Sequence, residues 1–218
     1  MNFIDKIPLD LNVIFSSAYW DLSGVNTVSI TLIRGLRASG ISAKVLRTIP
    51  DEQGINPMPF PSDIPLDKLP VTEKDTWKDR WRKMIHYLEK QAPCIYIPNY
   101  DWKHSCVSPK LSNQVMVIGI IHSDDPLYYE HVSRLGNYWN AMVAVSQNLE
   151  QKTAEKFPNL ASKLLAIPNG VSISQVLPQR VLNPQTPLKI VYTGRLVNYQ
   201  KRVADLPKII TKLLFCNW

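Results

Sequence analysis

Seven consecutive apolar residues near the middle of the chain, Val115–Ile121, constrain the fold more than any other stretch. The run is far shorter than the roughly 20 residues that a membrane-spanning helix needs. It is rich in Val and Ile and shows no polar alternation, which is typical of a parallel strand that is covered on both faces. Such strands occur in sheets with helices on both sides, so this run predicts an α/β fold.

The remainder of the first 171 residues alternates between short apolar runs and stretches with helical spacing. Strands are predicted at Asn12–Ser17 and at residues 43–49, 95–97, 141–145 and 164–167. Helices are predicted over residues 25–36, 76–90 and 146–156. Residues 50–70 contain six prolines and little periodicity, so we predict a surface loop there. This alternation predicts a Rossmann-like, mainly parallel sheet flanked by helices.

The net charge of +7 could attract nucleic acid, anionic lipid or a diphosphate. The cations are scattered, and the nearest approach to a cluster lies on the helix over residues 76–90. We interpret that helix as a solvated basic face with two tryptophans in the core. Its residues are Trp77, Lys78, Arg80, Trp81, Arg82 and Lys83. A nucleic-acid-binding protein, whose binding would weaken steeply with salt, is therefore disfavoured, and we predict no nucleic-acid partner.

The N-terminus and the cysteines indicate the compartment. No basic stretch followed by an apolar segment and a small-residue cleavage site occurs at the start, so a cytoplasmic protein is expected. Cys94, Cys106 and Cys216 are odd in number and lack metal-ligand spacing, which predicts free thiols.

Ligands of open α/β sheets bind where the strands end, so the residues that follow strands are the candidate site. After the first strand, Ser23 and Gly24 precede a helix, where a phosphate could approach backbone N–H groups. One glycine could equally serve only the turn. After the central strand, His122 could act as a base, with Asp124 or Asp125 orienting it. A histidine that is merely hydrogen-bonded in place, and aspartates that cap the next helix, remain open alternatives.

The last part of the chain begins a new unit. Residues 172–187 are polar with three prolines and are predicted to form a linker. Residues 188–193 are predicted to be a strand, and a helix is expected to begin near Asp205 with Pro207 in its first turn. Between them, Arg195 and Lys201 offer a guanidinium fork and a point charge suited to a diphosphate, or are a surface pair of cations.

The order of these segments resembles the domain junction of family 4 glycosyltransferases. Residues 168–171 read PNGV, residues 190–196 read IVYTGRL, and residues 201–206 read KRVADL. The family pattern reads roughly PNGVD, then GRL, then KG or KR before a helix. Ser172 stands where the family often has an aspartate. Residues 143–146, which read VAVS, and the histidine after a buried strand are also similar to that family.

The resemblance implies a GT-B architecture, in which two Rossmann-like domains enclose the active site. Residues 1–171 would be the N-terminal, acceptor-side domain, residues 172–187 the linker, and residues 188–218 the start of a nucleotide-sugar-binding domain. The family's paired glutamates, E-x7-E, have no counterpart here. A chain truncated early in its second domain, with weak or no transfer by itself, is therefore expected.

The resemblance also implies roles for individual residues. Arg195 and Lys201 would hold the donor diphosphate, His122 would lie beside the reacting sugar, and Gly24 would let its loop approach the donor phosphates. Ser23 stands where many members have another glycine. Members are retaining and need no bound metal, so we predict no metal and no cofactor, with a nucleotide sugar as donor substrate.

The acceptor would be a glycan, a lipid or another hydroxyl compound. Peripheral membrane contact and pairing with a separate C-terminal domain stay open, as does a non-catalytic module that binds an acceptor or a partner.

Overall fold

The structure is a computed structural model that describes residues 11–50, 58–99, 101–171, 189–194, 196 and 198–215. It divides into two compact units, Met1–Ser172 and Ile173–Trp218. Each unit is considered by itself. Residues 172–187, the predicted linker, lie outside the described residues, and the predicted domain bounds stay predictions.

The first unit is built on a seven-stranded sheet in which every described strand pair is parallel. Its order is β3-β2-β1-β4-β5-β6-β7. The strands are β1 Asn12–Ser17, β2 Ser42–Arg47, β3 Leu66–Lys68, β4 Cys94–Ile97, β5 Val115–Ile121, β6 Ala141–Ala144 and β7 Leu164–Ala166. The helices are α1 Gly24–Ala38, α2 Trp77–Lys90, α3 Pro126–Leu135 and α4 Gln147–Lys156. This confirms the predicted α/β, Rossmann-like fold.

Alternate residues of the strands supply two separate hydrophobic cores. Ile14, Tyr96 and Val117 point into the core that also contains residues of α2, α3 and α4. Val13, Phe15 and Ile97 point into the second core, which contains Ile33 of α1. Because successive side chains of a strand lie on opposite faces, one core lies on each side of the sheet.

The central run is less covered than its composition predicted. Val115, Val117 and Ile121 are buried, but Met116 is 40% exposed and Ile118 is half-buried. These two side chains are on the face that carries α1. The sequence predicted that both faces of β5 are buried. In the structure only the face opposite α1 is fully buried.

The proline-rich stretch contains a strand that the sequence did not predict. β3 pairs in parallel with β2, and Leu66 lies opposite Val45. The strand is at the edge of the sheet, and Pro65 and Pro70 flank it. Proline cannot donate to a sheet ladder, but at the ends of an edge strand that loss costs little. The prediction of an unbroken loop over residues 50–70 is therefore wrong for these three residues.

The two tryptophans of α2 are not core residues. The helix buries Met84 and Leu88 instead. Trp81 is 38% exposed, and its ring N–H donates to the carbonyl of Lys103 at 2.9 Å. Trp77 is half-buried, with the side chains of Arg80 and Lys103 lying 5.2 and 4.8 Å from the centre of its ring. The earlier interpretation is wrong because cation–π contacts and one hydrogen bond hold both rings at the surface.

The second unit contains α5 Asn198–Lys201, a 3-10 turn at Val203–Asp205 and α6 Leu206–Phe215. Pro207 is in the first turn of α6, as predicted. Residues 189–193 of the predicted strand adopt no regular structure. A strand is maintained by hydrogen bonds to a neighbour, and none of the described residues of this unit pairs with them. Among the described helices, none has the length and apolar composition to cross a membrane.

Candidate functional site at the carboxyl edge of the sheet

The strand order reverses between β1 and β4, which places the carboxyl ends of these two strands side by side. In open α/β sheets this reversal opens a crevice in which ligands bind. The residues that follow the strands here are the β1–α1 loop, Asn99 after β4 and His122 after β5. Asn99 and His122 are hydrogen-bonded to each other.

A chain of hydrogen bonds with a fixed direction ends at His122. The carbonyl of Val25 can only accept, and the hydroxyl of Ser29 donates to it at 2.8 Å. The hydroxyl therefore accepts from Nδ2 of Asn99, at 2.7 Å. This leaves Oδ1 of Asn99 facing Nε2 of His122 at 2.8 Å. Because Oδ1 is an acceptor, Nε2 of the imidazole must carry the proton, and Nδ1 is the unprotonated nitrogen.

Burial keeps this imidazole neutral. Desolvation lowers the pKa of His122 to about 4, since an imidazolium would lose its hydration there. At neutral pH the ring is therefore a hydrogen-bond acceptor at Nδ1, which suits contact with a hydroxyl group. The ring of Tyr128 lies 6.2 Å from it, centre to centre.

The two aspartates after His122 have other partners. Asp124 is exposed, pairs with Lys152 and accepts from the hydroxyl of Tyr129 at 2.6 Å. Those contacts, Lys152 first, lower the pKa of the Asp124 carboxyl. Asp125 caps α3 by accepting from the N–H of Leu127 at 2.9 Å. The residue that orients His122 is therefore Asn99, and neither aspartate does so. Asp125 is a helix cap, which was the open alternative for it.

Gly24 is the first residue of α1. Ser23 caps the helix through the N–H of Asn26, whose side chain in turn donates to the carbonyls of Tyr19 and Asp21 at 3.2 and 2.8 Å. These bonds set the shape of the β1–α1 loop. A Cβ added at Gly24 would meet nothing within 4 Å. Protein packing therefore gives no reason for a glycine here, while the helix N-terminus offers backbone N–H groups to an anion.

The two predicted diphosphate ligands lie in the second unit. Lys201 is exposed and ends α5. Arg195 lies outside the described residues. The neighbouring Arg202 pairs with Asp205 at 2.7 Å. The proposed meeting of Arg195 and Lys201 with His122 stays a prediction.

An apolar groove of about 220 Å³ lies between α1 and the sheet. Its lining is mainly apolar side chains of β1, α1, β4, β5 and β6, together with Thr31 and residues 167–170. Asn169 and Gly170 belong to the PNG sequence that carries the family resemblance. The groove thus places that sequence against the α1 side of the sheet.

No family model matches the sequence, and no curated protein matches it either. Solved structures of alpha-glucosyltransferases are similar in fold. One in complex with UDP and a 13-mer DNA containing an A:G mismatch has a TM-score of 0.49 at 8% identity, over 72% of this chain and 40% of that one. One in complex with UDP has a TM-score of 0.48 at 10% identity, over 79% and 42%. One with UDP-glucose and DNA containing an abasic site has a TM-score of 0.44 at 11% identity, over 72% and 41%.

The chain spans about two fifths of the length of these structures. At such identities the likeness bears on the fold alone.

The prediction that nucleic acid is excluded as a partner does not hold against this comparison, because two of these three structures hold DNA. That prediction depended on the scatter of cations along the sequence. Folding brings cations together that are distant in sequence, as Lys103 and Arg80 at the ring of Trp77 show.

Among the described residues, no group of three or more His, Cys, Asp or Glu side chains is placed to hold a metal ion. Cys94 and Cys106 are free thiols, as predicted, and Cys216 lies outside the described residues.

Sequence reasoning missed Ser29 and Asn99. The signal for Asn99 was available, because it follows the predicted strand at residues 95–97 after one proline. Ser29 carried no signal, since a serine inside a helix pattern does not reveal a partner 70 positions away.

Replacement of Asn99 is expected to separate two contributions to stability. Asn99 is 7% exposed and has a φ of 52°, in the left-handed region. Asn99→Ala loses the bonds to Ser29 and His122, and alanine lacks the tolerance of asparagine for positive φ, so the loss is about 2 kcal/mol in all. Asn99→Gly avoids the φ cost and should lose about 1 kcal/mol. Denaturant unfolding of both variants measures this difference, and equal losses would contradict the φ contribution.

Proposed function

We propose that the chain belongs to a nucleotide-sugar-dependent glycosyltransferase of GT-B architecture, similar to family 4. It would move a sugar from a nucleotide to an acceptor hydroxyl with retention of configuration. The observation that carries the proposal is His122, a neutral imidazole whose tautomer is fixed by Asn99, the residue beside the point where strand order reverses. The order of the PNGV, TGRL and KRVADL sequences supports the same proposal.

Each site residue has a role in this proposal. His122 lies beside the reacting sugar and accepts a hydrogen bond from a hydroxyl at Nδ1. Gly24 allows the donor phosphates to reach the N-terminus of α1, where the helix dipole favours negative charge. Arg195 and Lys201 neutralise the charge that develops on the leaving nucleotide. Asp124 acts only indirectly, since its described contacts hold Lys152 and Tyr129.

Because cations are assigned to the leaving diphosphate, the proposal requires no metal ion and no cofactor. The acceptor class is a hydroxyl compound: a glycan, a lipid or another molecule with a free hydroxyl group.

Calorimetric titration of the full 218-residue chain with nucleoside diphosphates and their sugar conjugates tests the proposal. Saturable binding of one nucleotide series, with inorganic phosphate at equal ionic strength as the control, is expected. Absence of binding together with absence of sugar transfer would remove the enzyme function for this chain. A non-catalytic module that binds an acceptor or a partner protein would then be the better account.

Gly24→Ala is expected to affect binding without affecting stability. A methyl group at this position meets no protein atom within 4 Å, so the free energy of unfolding should change by less than about 0.5 kcal/mol. The same methyl group would obstruct a phosphate that approaches the backbone, and we expect nucleotide affinity to fall about ten-fold. Unchanged affinity would show that the loop does not contact the donor. Gly35→Ala, also exposed and on α1, is the matched control for affinity.

A further inference from the structure

The turn that presents Asn99 to His122 is fixed at both ends. At its start, the carbonyl of Pro98 accepts a hydrogen bond from the hydroxyl of Ser16, at 3.1 Å, and another from the N–H of Asp101, at 2.9 Å. Ser16 is a fully buried residue of β1. The beginning of the turn is thereby attached to the strand beside β4.

The end of the turn is fixed by the buried carboxylate of Asp101, which is 2% exposed. Its Oδ2 accepts from the hydroxyl of Thr48, the residue directly after β2. Its Oδ1 lies 2.8 Å from Nδ1 of His104. Thr48 and His104 are fully buried, and the N–H of Thr48 bonds to the carbonyl of Ser17 at 3.1 Å. The carboxylate therefore ties the turn to the carboxyl ends of β1 and β2.

Asn99 depends on this attachment because its backbone is in a costly conformation. An asparagine at φ 52° holds that conformation only where the surrounding contacts determine it. If the turn relaxed, Oδ1 of Asn99 would move away from Nε2 of His122, and the direction of the hydrogen-bond chain would no longer set the tautomer.

We propose that Asp101, acting through Thr48, is a positioning residue that holds Asn99 against His122 and so keeps the proton of the imidazole on Nε2. Its importance for catalysis rests on the proposed function. The positioning itself does not, since it can be measured without any ligand.

The test is hydrogen exchange of the ring N–H of His122, measured by NMR on the full ¹⁵N-labelled chain near neutral pH. Thr48→Val keeps the shape of the side chain and removes the donor to Asp101. We expect exchange of that proton to become about ten-fold faster, because a ten-fold change corresponds to the net contribution of about one hydrogen bond. Thr48→Ser restores the hydroxyl and is expected to restore slow exchange.

Thr153→Val is the matched control. Thr153 is also fully buried, and its hydroxyl donates to the carbonyl of Leu149 within α4 at 2.7 Å. It should lose comparable stability while the His122 proton exchanges as in the wild type. Equal exchange in wild type and Thr48→Val would overturn the proposal.

If Thr48→Val does not fold, Thr48→Ala removes the same donor without placing a methyl group against the Asp101 carboxylate, and it carries the same measurement. Exchange that is unchanged in that variant also overturns the proposal. Because no nucleotide is present, failure here is distinct from failure of the proposed function, which the titration decides.

Discussion

Acidification from about pH 7.5 to about pH 5 is expected to lower the free energy of unfolding by about 4 kcal/mol, with equal contributions from His122 and His131. Burial lowers the pKa of each imidazole to about 4. In the unfolded chain a histidine titrates near 6.5. At pH 5 the unfolded state therefore binds protons that the folded state does not bind. By linkage, this lowers the free energy of unfolding by roughly 2 kcal/mol per histidine.

The direction and the pH window follow from these values. A depressed pKa gives stability that is complete above about pH 6.5 and is lost as the pH falls towards 4. The carboxyls of Asp67, Asp75 and Asp124 also have lowered pKa values, owing to hydrogen bonds and to the cations beside them. Their unfolded values lie near 4, so their contribution is lost at lower pH. The interval between pH 6.5 and 4 therefore reports mainly on the two histidines.

His131 is held much as His122 is. The hydroxyl of Ser105 donates to the carbonyl of Trp102 at 2.9 Å, so it accepts from Nε2 of His131 at 3.0 Å. The rings of Trp102 and Trp139 lie 4.9 and 5.3 Å from the imidazole, centre to centre. Beyond this burial, the charge of Arg134 lowers the pKa further.

Denaturant unfolding at several pH values and constant ionic strength measures the effect. His122→Gln and His131→Gln can keep a donor at the same position but do not titrate, so each should remove about half of the pH dependence. A stability that is flat between pH 7 and 5 in the unmodified chain would contradict burial of both imidazoles.

The elements of the first unit were predictable because they are set by local patterns. Residues of β1 and β5 form apolar runs, and Ser23 and Ser146 precede helices as capping residues. β3 was not predictable, since a three-residue edge strand depends on a neighbour that the local sequence does not show. The strand predicted at residues 188–193 does not form in its described part, residues 189–193, for the same reason: its composition was right, and a partner was missing among the described residues.

The candidate site was only half predictable. The rule that ligands bind after strands identified His122, and applied to β4 it would also have found Asn99. Thr48 lay inside the strand predicted at residues 43–49, and only the observed end of β2 at Arg47 places it after a strand. The rule could not predict which groups donate and which accept in the hydrogen bonds that end at His122. Which nitrogen of His122 carries the proton depends on Ser29, which lies in a helix far away in sequence. The same limit made Asp124 the expected orienting residue, since it is close in sequence, although its carboxylate pairs with Lys152.

Gly119→Ala is expected to destabilise the first unit by at least about 3 kcal/mol, although it adds only one methyl group. Gly119 is in β5, and an added Cβ would come under 3.0 Å from three ring carbons of Trp139. The tryptophan is 3% exposed and belongs to the core on the α3 side of the sheet. A rigid ring in a close-packed core cannot retreat from a backbone methyl without displacing its neighbours.

Two comparisons separate this steric account from a general cost of replacing glycine. Gly35 of α1 is exposed and has nothing within 4 Å of an added Cβ, so Gly35→Ala should stabilise by roughly 0.5–1 kcal/mol. Combining Gly119→Ala with Trp139→Leu removes the clash. The double variant should therefore be more stable than the sum of the two single changes predicts, by about 2 kcal/mol or more. Additive losses in denaturant unfolding would mean that the strand, rather than the indole, opposes the methyl group.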